Sequence, residues 1–143
     1  MEIPQVTIYT DGSCRDGKGG WAAVMICGEN HLNICGSDID TTNNRMEMCA
    51  VINALGRLTT KCEVHLYSDS KYVLDGMDWC FGWAKKNWKT KTGPVANTDL
   101  WMVIMDLVSK HKIHKHWVKG HCGTELNEVC DCLAKYARDN QIQ

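Results

Sequence analysis

No stretch of this chain approaches the roughly 20 apolar residues of a membrane-spanning helix. The opening MEIPQVTIYTDGS also lacks the basic segment and apolar run of a secretory signal. There is no internal repeat, low-complexity segment or linker. Together these absences predict one globular domain over residues 1–143, cytoplasmic and without a membrane partner. The nine cysteines are spread from Cys14 to Cys132. Six of them (Cys14, Cys27, Cys35, Cys49, Cys62, Cys80) stand far apart, and none of the six belongs to a CxxC pair. That spacing predicts reduced thiols used as small core residues, not a disulfide scaffold.

Acidic residues are missing from two stretches. Trp79 to Thr98 holds none, but carries Lys85, Lys86, Lys89 and Lys91. Leu107 to Thr124 holds none, but carries Lys110, Lys112, Lys115 and Lys119 and four histidines. A chain of net charge −1 can therefore carry a basic face able to follow a phosphate backbone.

The acids that remain include four in distinctive settings: Asp11 in YTDGS, Glu47 in TTNNRMEM, Asp69 in YSDSKYV and Asp131 in NEVCDCLAK. Val6 and Ile8 alternate with Thr7 and Tyr9, which predicts a strand ending at Thr10-Asp11-Gly12. Asp16 to Gly20 reads as a turn. Trp21 to Cys27 and His31 to Ile39 read as two further strands, completing an antiparallel meander. Thr42-Asn43-Asn44 supplies N-cap chemistry for a helix striped by Met48, Val51, Ile52, Leu55 and Leu58, with Glu47 beside the stripe. Glu63 to Tyr67 is a strand running into Ser68-Asp69-Ser70. A short helix over Lys71 to Met77 and a basic, aromatic stretch over Phe81 to Pro94 follow. Next come a helix over Asp99 to Lys110 (stripe Leu100, Val103, Ile104, Leu107) and a fifth strand over Ile113 to Val118. The final helix, Leu126 to Asp139, turns Leu126, Val129, Cys130, Leu133 and Ala137 inward and leaves Asp131 one step off the stripe.

This order predicts an α/β fold: a five-stranded mixed sheet, antiparallel meander plus parallel strands, flanked by helices. If the strands ending at Asp11 and Asp69 are parallel neighbours, their carboxylates emerge together, where α/β sheets place their sites. Clustered carboxylates repel unless a cation lies between them. Hard divalent ions are the natural occupants, and phosphodiester hydrolysis is the natural chemistry.

YTDGSC, TTNNRMEM, YSDSKYV, KKNWKTK and VKGHCGTELNEVCDCLA, in that order and spacing, resemble type I ribonuclease H over essentially the whole chain. The resemblance implies a ribonuclease H-like fold and a metal-dependent endonuclease that cuts the RNA strand of an RNA/DNA hybrid. It implies that Asp11, Glu47, Asp69 and Asp131 bind two Mg²⁺ ions, with Mn²⁺ a possible substitute, and that the products carry 5′-phosphate and 3′-hydroxyl ends. His121, in the pattern His121, Gly123, Asn127, Asp131, is implied to assist proton transfer or product departure. The segment 79–93 is implied to be a basic handle gripping the DNA strand through Trp79, Trp83, Lys85, Lys86 and Lys89. Gly12, Ser13 and Cys14 (through their backbone), with the amides of Asn43 and Asn44, are implied to meet RNA 2′-hydroxyls. Thr42 is implied to meet a DNA phosphate, and Glu47 to accept from a 2′-hydroxyl as well. A monomer without a separate hybrid-binding module is implied.

The chain departs from the family pattern in places. The Arg15–Gly19 loop is short, Asp16 stands close in sequence to Asp11, and Lys71 replaces a common glutamine. His111, His114 and His116 read as exposed or sheet-facing. Cys130 and Cys132 near His121 admit zinc, but Cys130 falls on the apolar stripe. An integrase- or resolvase-like nuclease, a non-catalytic hybrid-binding protein and a thiol-redox protein are the competing readings.

Overall fold

The computed structural model describes residues 3–119 and 125–142. The elements in chain order are β1 (Gln5–Arg15), β2 (Lys18–Cys27), β3 (Asn30–Asp38), α1 (Asn43–Gly56), β4 (Glu63–Ser68), α2 (Lys71–Lys85), β5 (Lys89–Thr90), β6 (Gly93–Pro94), α3 (Thr98–Ser109), β7 (Lys112–Trp117) and α4 (Glu125–Asn140). Five strands form one mixed sheet in the order β3-β2-β1-β4-β7. The β1–β2 and β2–β3 pairs are antiparallel, and the β1–β4 and β4–β7 pairs are parallel. The expected meander and parallel strands are thus both present.

Alternation along the strands sorts side chains between the two faces. On one face Val6, Ile8, Val64 and Leu66 join Met48, Val51 and Leu55 of α1, Val73 and Met77 of α2, and Trp101 and Ile104 of α3 in the main core. On the other face α4 lies across β1, β2 and β3. Its Cys130 Sγ donates to the Tyr9 carbonyl at 3.1 Å. That face of β4 and β7 holds half-buried Tyr67, His65, His114 and His116.

Several boundaries differ from the sequence expectation, each for a local reason. The first strand does not end at Asp11; it continues to Arg15. Its pairing with β4 stops at Tyr9↔Tyr67, whereas its pairing with β2 persists to Arg15↔Lys18. The turn before β2 is only Asp16-Gly17, both at positive φ (53° and 77°), the two-residue Asp-Gly pattern of a type I′ hairpin. Lys18 to Gly20 belong to β2. The short helix expected at Lys71–Met77 runs on to Lys85, because Cys80 extends the buried row of Val73 and Met77 and no proline interrupts it. In α3 the buried residues are Trp101 and Ile104; Val103, expected in the stripe, is exposed. In α4, Ala134 is buried along with Cys130 and Ala137, while Leu126, Val129 and Leu133 are half-buried.

Candidate active site

The cleft forms where β1 and β4 part company. Beyond Tyr9↔Tyr67 the two strands no longer pair, so Asp11 on β1 and Asp69, the residue after β4, flank a gap between these two central strands. α1 supplies the third acid. Thr42 caps this helix, its hydroxyl accepting from the Arg45 N–H at 3.2 Å, and Glu47 lies in the turn that follows. Helix and strand approach closely at Gly12: a Cβ there would stand 2.5 Å from the Glu47 nitrogen. Only glycine permits that approach. The Gly12 N–H then donates to Asp11 Oδ1 at 2.9 Å and to Glu47 Oε1 at 3.0 Å, tying two acids to one backbone donor.

Asp11, Glu47 and Asp69 present carboxylate oxygens all within 4.8 Å of one another. Asp131, one face-step away from buried Cys130 and Ala134 on α4, lines the same cleft of about 360 Å³, with Ser70, Asn43 and Lys135. Lys135 Nζ lies 3.0 Å from Asp131 Oδ2, one helical turn on. All four predicted acids therefore converge, from β1, the residue after β4, and two helices.

The electrostatics is that of crowded carboxylates. Asp11 is only 5% exposed and Glu47 only 4%. Burial, reinforced by the Asp69 charge, pushes Asp11 up from the ordinary 3.8 to about 7. Burial, then the charges of Asp11 and Asp69, raises Glu47 well above its usual range. Glu47 Oε2 is buried without a hydrogen-bond partner among the described residues. A buried acceptor beside two further carboxylates is costly unless a cation meets it. The donor set is all hard oxygen, which suits Mg²⁺ or Mn²⁺ rather than thiophilic metals. The residues present fit divalent cations.

Other predicted residues fall around this cleft or away from it. Asn43 lines it, and Thr42 and Asn44 are exposed at the start of α1. The Ser13 side chain is buried and accepts from Arg138 Nη1 at 2.7 Å, and the Cys14 thiol reaches the Thr41 carbonyl at 3.5 Å. Asp16 sits at the hairpin tip, beside Arg15, Lys18 and Arg138, and does not line the carboxylate cleft. His121 and Gly123 lie outside the described residues. Cys130 is buried, and burial followed by the Asp11 charge pushes its thiol up to about 12, whereas Cys132, two residues on, is exposed. Among the described residues neither belongs to a cluster of metal-ligating side chains. All eight described cysteines are free thiols.

The handle is the end of α2 plus a two-stranded ribbon. Trp79 is 58% exposed. Trp83 is half-buried, stacked edge-on between Trp79 (6.0 Å) and the core residue Trp101 (5.7 Å). Trp88 also packs on the core. Lys85, Lys86, Lys89 and Lys91 are all exposed, and the last three line a concavity with Trp83, Thr90 and Thr92.

Sequence reasoning did not single out two neighbours of the acids. Lys135 was legible as the i,i+4 partner of Asp131. Trp117 was not: its indole donates to the Asp69 carbonyl at 3.1 Å, and Lys71 lies 4.4 Å over its ring. Only the parallel register of β4 and β7 brings these groups together.

Comparison with known proteins gives a consistent picture. The family model described as RNase H matches residues 4–139. The chain is 52% identical over 139 residues to a ribonuclease H of Novosphingobium aromaticivorans, covering 94% of this chain and 97% of that one. It is 47% identical over 142 residues to a ribonuclease H of Chromohalobacter salexigens, covering 96% and 87%. Among solved structures it superimposes on LC9-RNase H1, a type 1 RNase H with the type 2 active-site motif. The TM-score is 0.89 at 33% identity, covering 100% of this chain and 76% of that chain. The N-terminal RNase H domain of a Mycobacterium tuberculosis protein gives a TM-score of 0.74 at 26% identity, covering 96% of each.

Proposed function

Because the chain belongs to the RNase H family, we propose that it cuts the RNA strand of RNA/DNA hybrids endonucleolytically, leaving 5′-phosphate and 3′-hydroxyl ends. The single observation that carries this reading is the cluster of buried Asp11 and Glu47 with half-buried Asp69, with oxygens within 4.8 Å of one another at the edge of a cleft that Asp131 completes. Two Mg²⁺ ions held by these four acids would supply a water acidified to hydroxide and a counter-charge for the leaving 3′ oxygen.

The chain's own groups do the positioning. The Gly12 N–H fixes Asp11 Oδ1 and Glu47 Oε1, leaving the buried Glu47 Oε2 without a hydrogen-bond partner among the described residues. Trp117 holds the backbone of Asp69, and Lys135 holds Asp131 from the solvent side. His121 is assigned to proton transfer and product departure. Asn43 and Asn44, with the backbone of Gly12, Ser13 and Cys14, are assigned to the 2′-hydroxyls, and Thr42 to a DNA phosphate. Glu47 accepts from a 2′-hydroxyl in this scheme. The exposed lysines Lys85, Lys86 and Lys89 neutralise DNA-strand phosphates, and Trp79 offers an open aromatic face to the sugar. Trp83 supports that face from below. The protein acts as a cytoplasmic monomer in this reading. Among the described residues no helix is long and apolar enough to cross a membrane.

Labelled RNA/DNA hybrid, RNA duplex and DNA duplex are incubated with the protein and Mg²⁺, then with EDTA. The expected result is cleavage of the hybrid's RNA alone, and only with metal. Equal cutting of DNA duplex overturns the substrate assignment. Activity in EDTA overturns the metal mechanism.

A further inference from the structure

The open face of β4 and β7 carries a second group of ligands, chemically unlike the first. Parallel pairing sets Glu63 opposite Lys112, His65 opposite His114 and Tyr67 opposite His116. Residues two apart on a strand share a face, so Glu63 and His65 from one strand and His114 from the next point the same way. Their ligand atoms lie within 4.8 Å of one another, and all three side chains are half-buried. Two residues at i and i+2 with a third across the ladder form a facial three-point donor set. A His₂-carboxylate set with an open position suits Zn²⁺ and its first-row neighbours, not Mg²⁺.

The surroundings support such a site. His65 Nδ1 is engaged with His116 Nε2 at 2.9 Å, which leaves His65 Nε2 available and holds the ring in place. A hydrogen bond of this kind orients metal-binding histidines. Stacking continues the restraint: His114 on His65 (4.7 Å), His65 on His116 (5.2 Å), His116 on Tyr67 (4.5 Å) and Tyr67 on Tyr9 (4.6 Å). Glu63 Oε1 accepts from Gln5 Nε2 at 2.7 Å, and Oε2 lies 2.6 Å from His114 Nε2 and 3.6 Å from Lys112 Nζ. The Gln5 and His114 contacts pull the Glu63 carboxyl down to about 2. The carboxylate is thus held on both oxygens, and a cation entering between Glu63 and His114 would take the place of their direct hydrogen bond.

We propose that Glu63, His65 and His114 form a binding site for a borderline transition-metal ion of the Zn²⁺ class, with His116 holding His65 in position. This site is separate from the carboxylate cleft. Glu63 and His65 lie six and four residues before Asp69 along the same strand line, roughly 13–20 Å at the strand rise. The Tyr9–Tyr67 stack stands between the two sites.

The test titrates the reduced full-length protein with Co²⁺, the spectroscopic stand-in for Zn²⁺, and then displaces it with Zn²⁺. One equivalent is expected to give visible absorption typical of nitrogen and oxygen ligands without the ultraviolet charge-transfer band of cobalt–thiolate bonds. The signal is expected to survive Asp11→Asn, to be lost in His65→Ala and His114→Ala, and to need at least about tenfold more metal in His116→Ala. Mg²⁺-dependent activity of the histidine variants, measured without added zinc, is expected to stay at the wild-type level. Unchanged binding in His65→Ala and His114→Ala overturns the proposal. So does a thiolate band, or loss of the signal in Asp11→Asn. Should either alanine variant fail to fold, Glu63→Gln, of equal size, decides: tenfold or greater weakening supports the site, and unchanged affinity overturns it.

Discussion

Replacing Asp11 with asparagine exchanges a buried carboxylate for a neutral group of the same shape. The Gly12 N–H can still donate, now to the amide oxygen. What disappears is the cost of ionising a carboxyl that burial and Asp69 push from 3.8 to about 7. The folded state holds this proton more tightly than the unfolded chain does. Its stabilising share is therefore complete below about pH 4 and is lost as pH rises through about 7. A rise of that size corresponds to about 4 kcal/mol at roughly 1.36 kcal/mol per pH unit. Because Glu47 and Asp69 share the same repulsion, about 2–4 kcal/mol is the expected relief. In EDTA at pH 8, Asp11→Asn should thus be more stable than the wild type by about 2–4 kcal/mol, a shift on the order of 10 °C in Tm. At pH 3.5 the two should agree within about 1 kcal/mol. The assay is urea unfolding followed by circular dichroism across that pH range, repeated with Mg²⁺ or Mn²⁺ in place of EDTA. Metal should stabilise the wild type at pH 8 and have little effect on the variant, which should also be inactive on hybrid. A variant no more stable than wild type at pH 8, or a difference that does not vary with pH, would refute the argument that crowded carboxylates store this energy.

Three further outcomes follow from the same geometry. Replacing Lys85, Lys86 and Lys89 together should weaken hybrid binding and flatten its salt dependence by about 0.7–0.9 for each phosphate no longer neutralised; an unchanged slope in a filter-binding titration would remove the handle from the interface. Arg138→Ala leaves Ser13 Oγ and the buried junction of α4 and β1 without a donor, and should cost about 2–3 kcal/mol in urea unfolding; a cost below about 0.5 kcal/mol would show that this hydrogen bond does not anchor α4. Trp117→Phe keeps an aromatic ring but removes the N–H that donates to the Asp69 carbonyl. It should lower kcat several-fold with KM little changed, and a KM effect alone would mean that the ring touches substrate instead.

The acids were legible in the sequence because each sits in a short signature whose local chemistry is self-contained. Asp11 closes the alternating stretch of β1, Asp69 lies just past β4, Glu47 follows an N-cap, and Asp131 flanks a helical stripe. The handle was legible as a composition shift, basic and free of acid. Less legible were positions decided by neighbours distant in sequence. β1 runs past Asp11 because β2 pairs with it to the hairpin, and a strand's length depends on its partner as well as its own alternation. In the sequence Trp83 reads as an aromatic surface of the handle, but in the fold it also packs edge-on against Trp101 of α3. His65 carries no signal within EVHLY, because its ligand partner His114 lies on a strand about fifty residues away.

Periodicity and turn chemistry are local. They act over a few residues, so the chain alone was enough to specify the α/β order, the capped start of α1 and the residue types able to hold hard cations. Distances between acids are not local. They depend on strand register and on how closely a helix can approach a strand, here set by the missing side chain at Gly12. Only the folded chain shows Asp11, Glu47 and Asp69 within 4.8 Å, and only it shows that burial and mutual repulsion raise Asp11 and Glu47 above the ordinary carboxylate range. The same register gathers Glu63, His65 and His114 on the opposite stretch of the sheet. No spacing in the sequence marks that group, because ladder neighbours are defined by hydrogen bonds between strands.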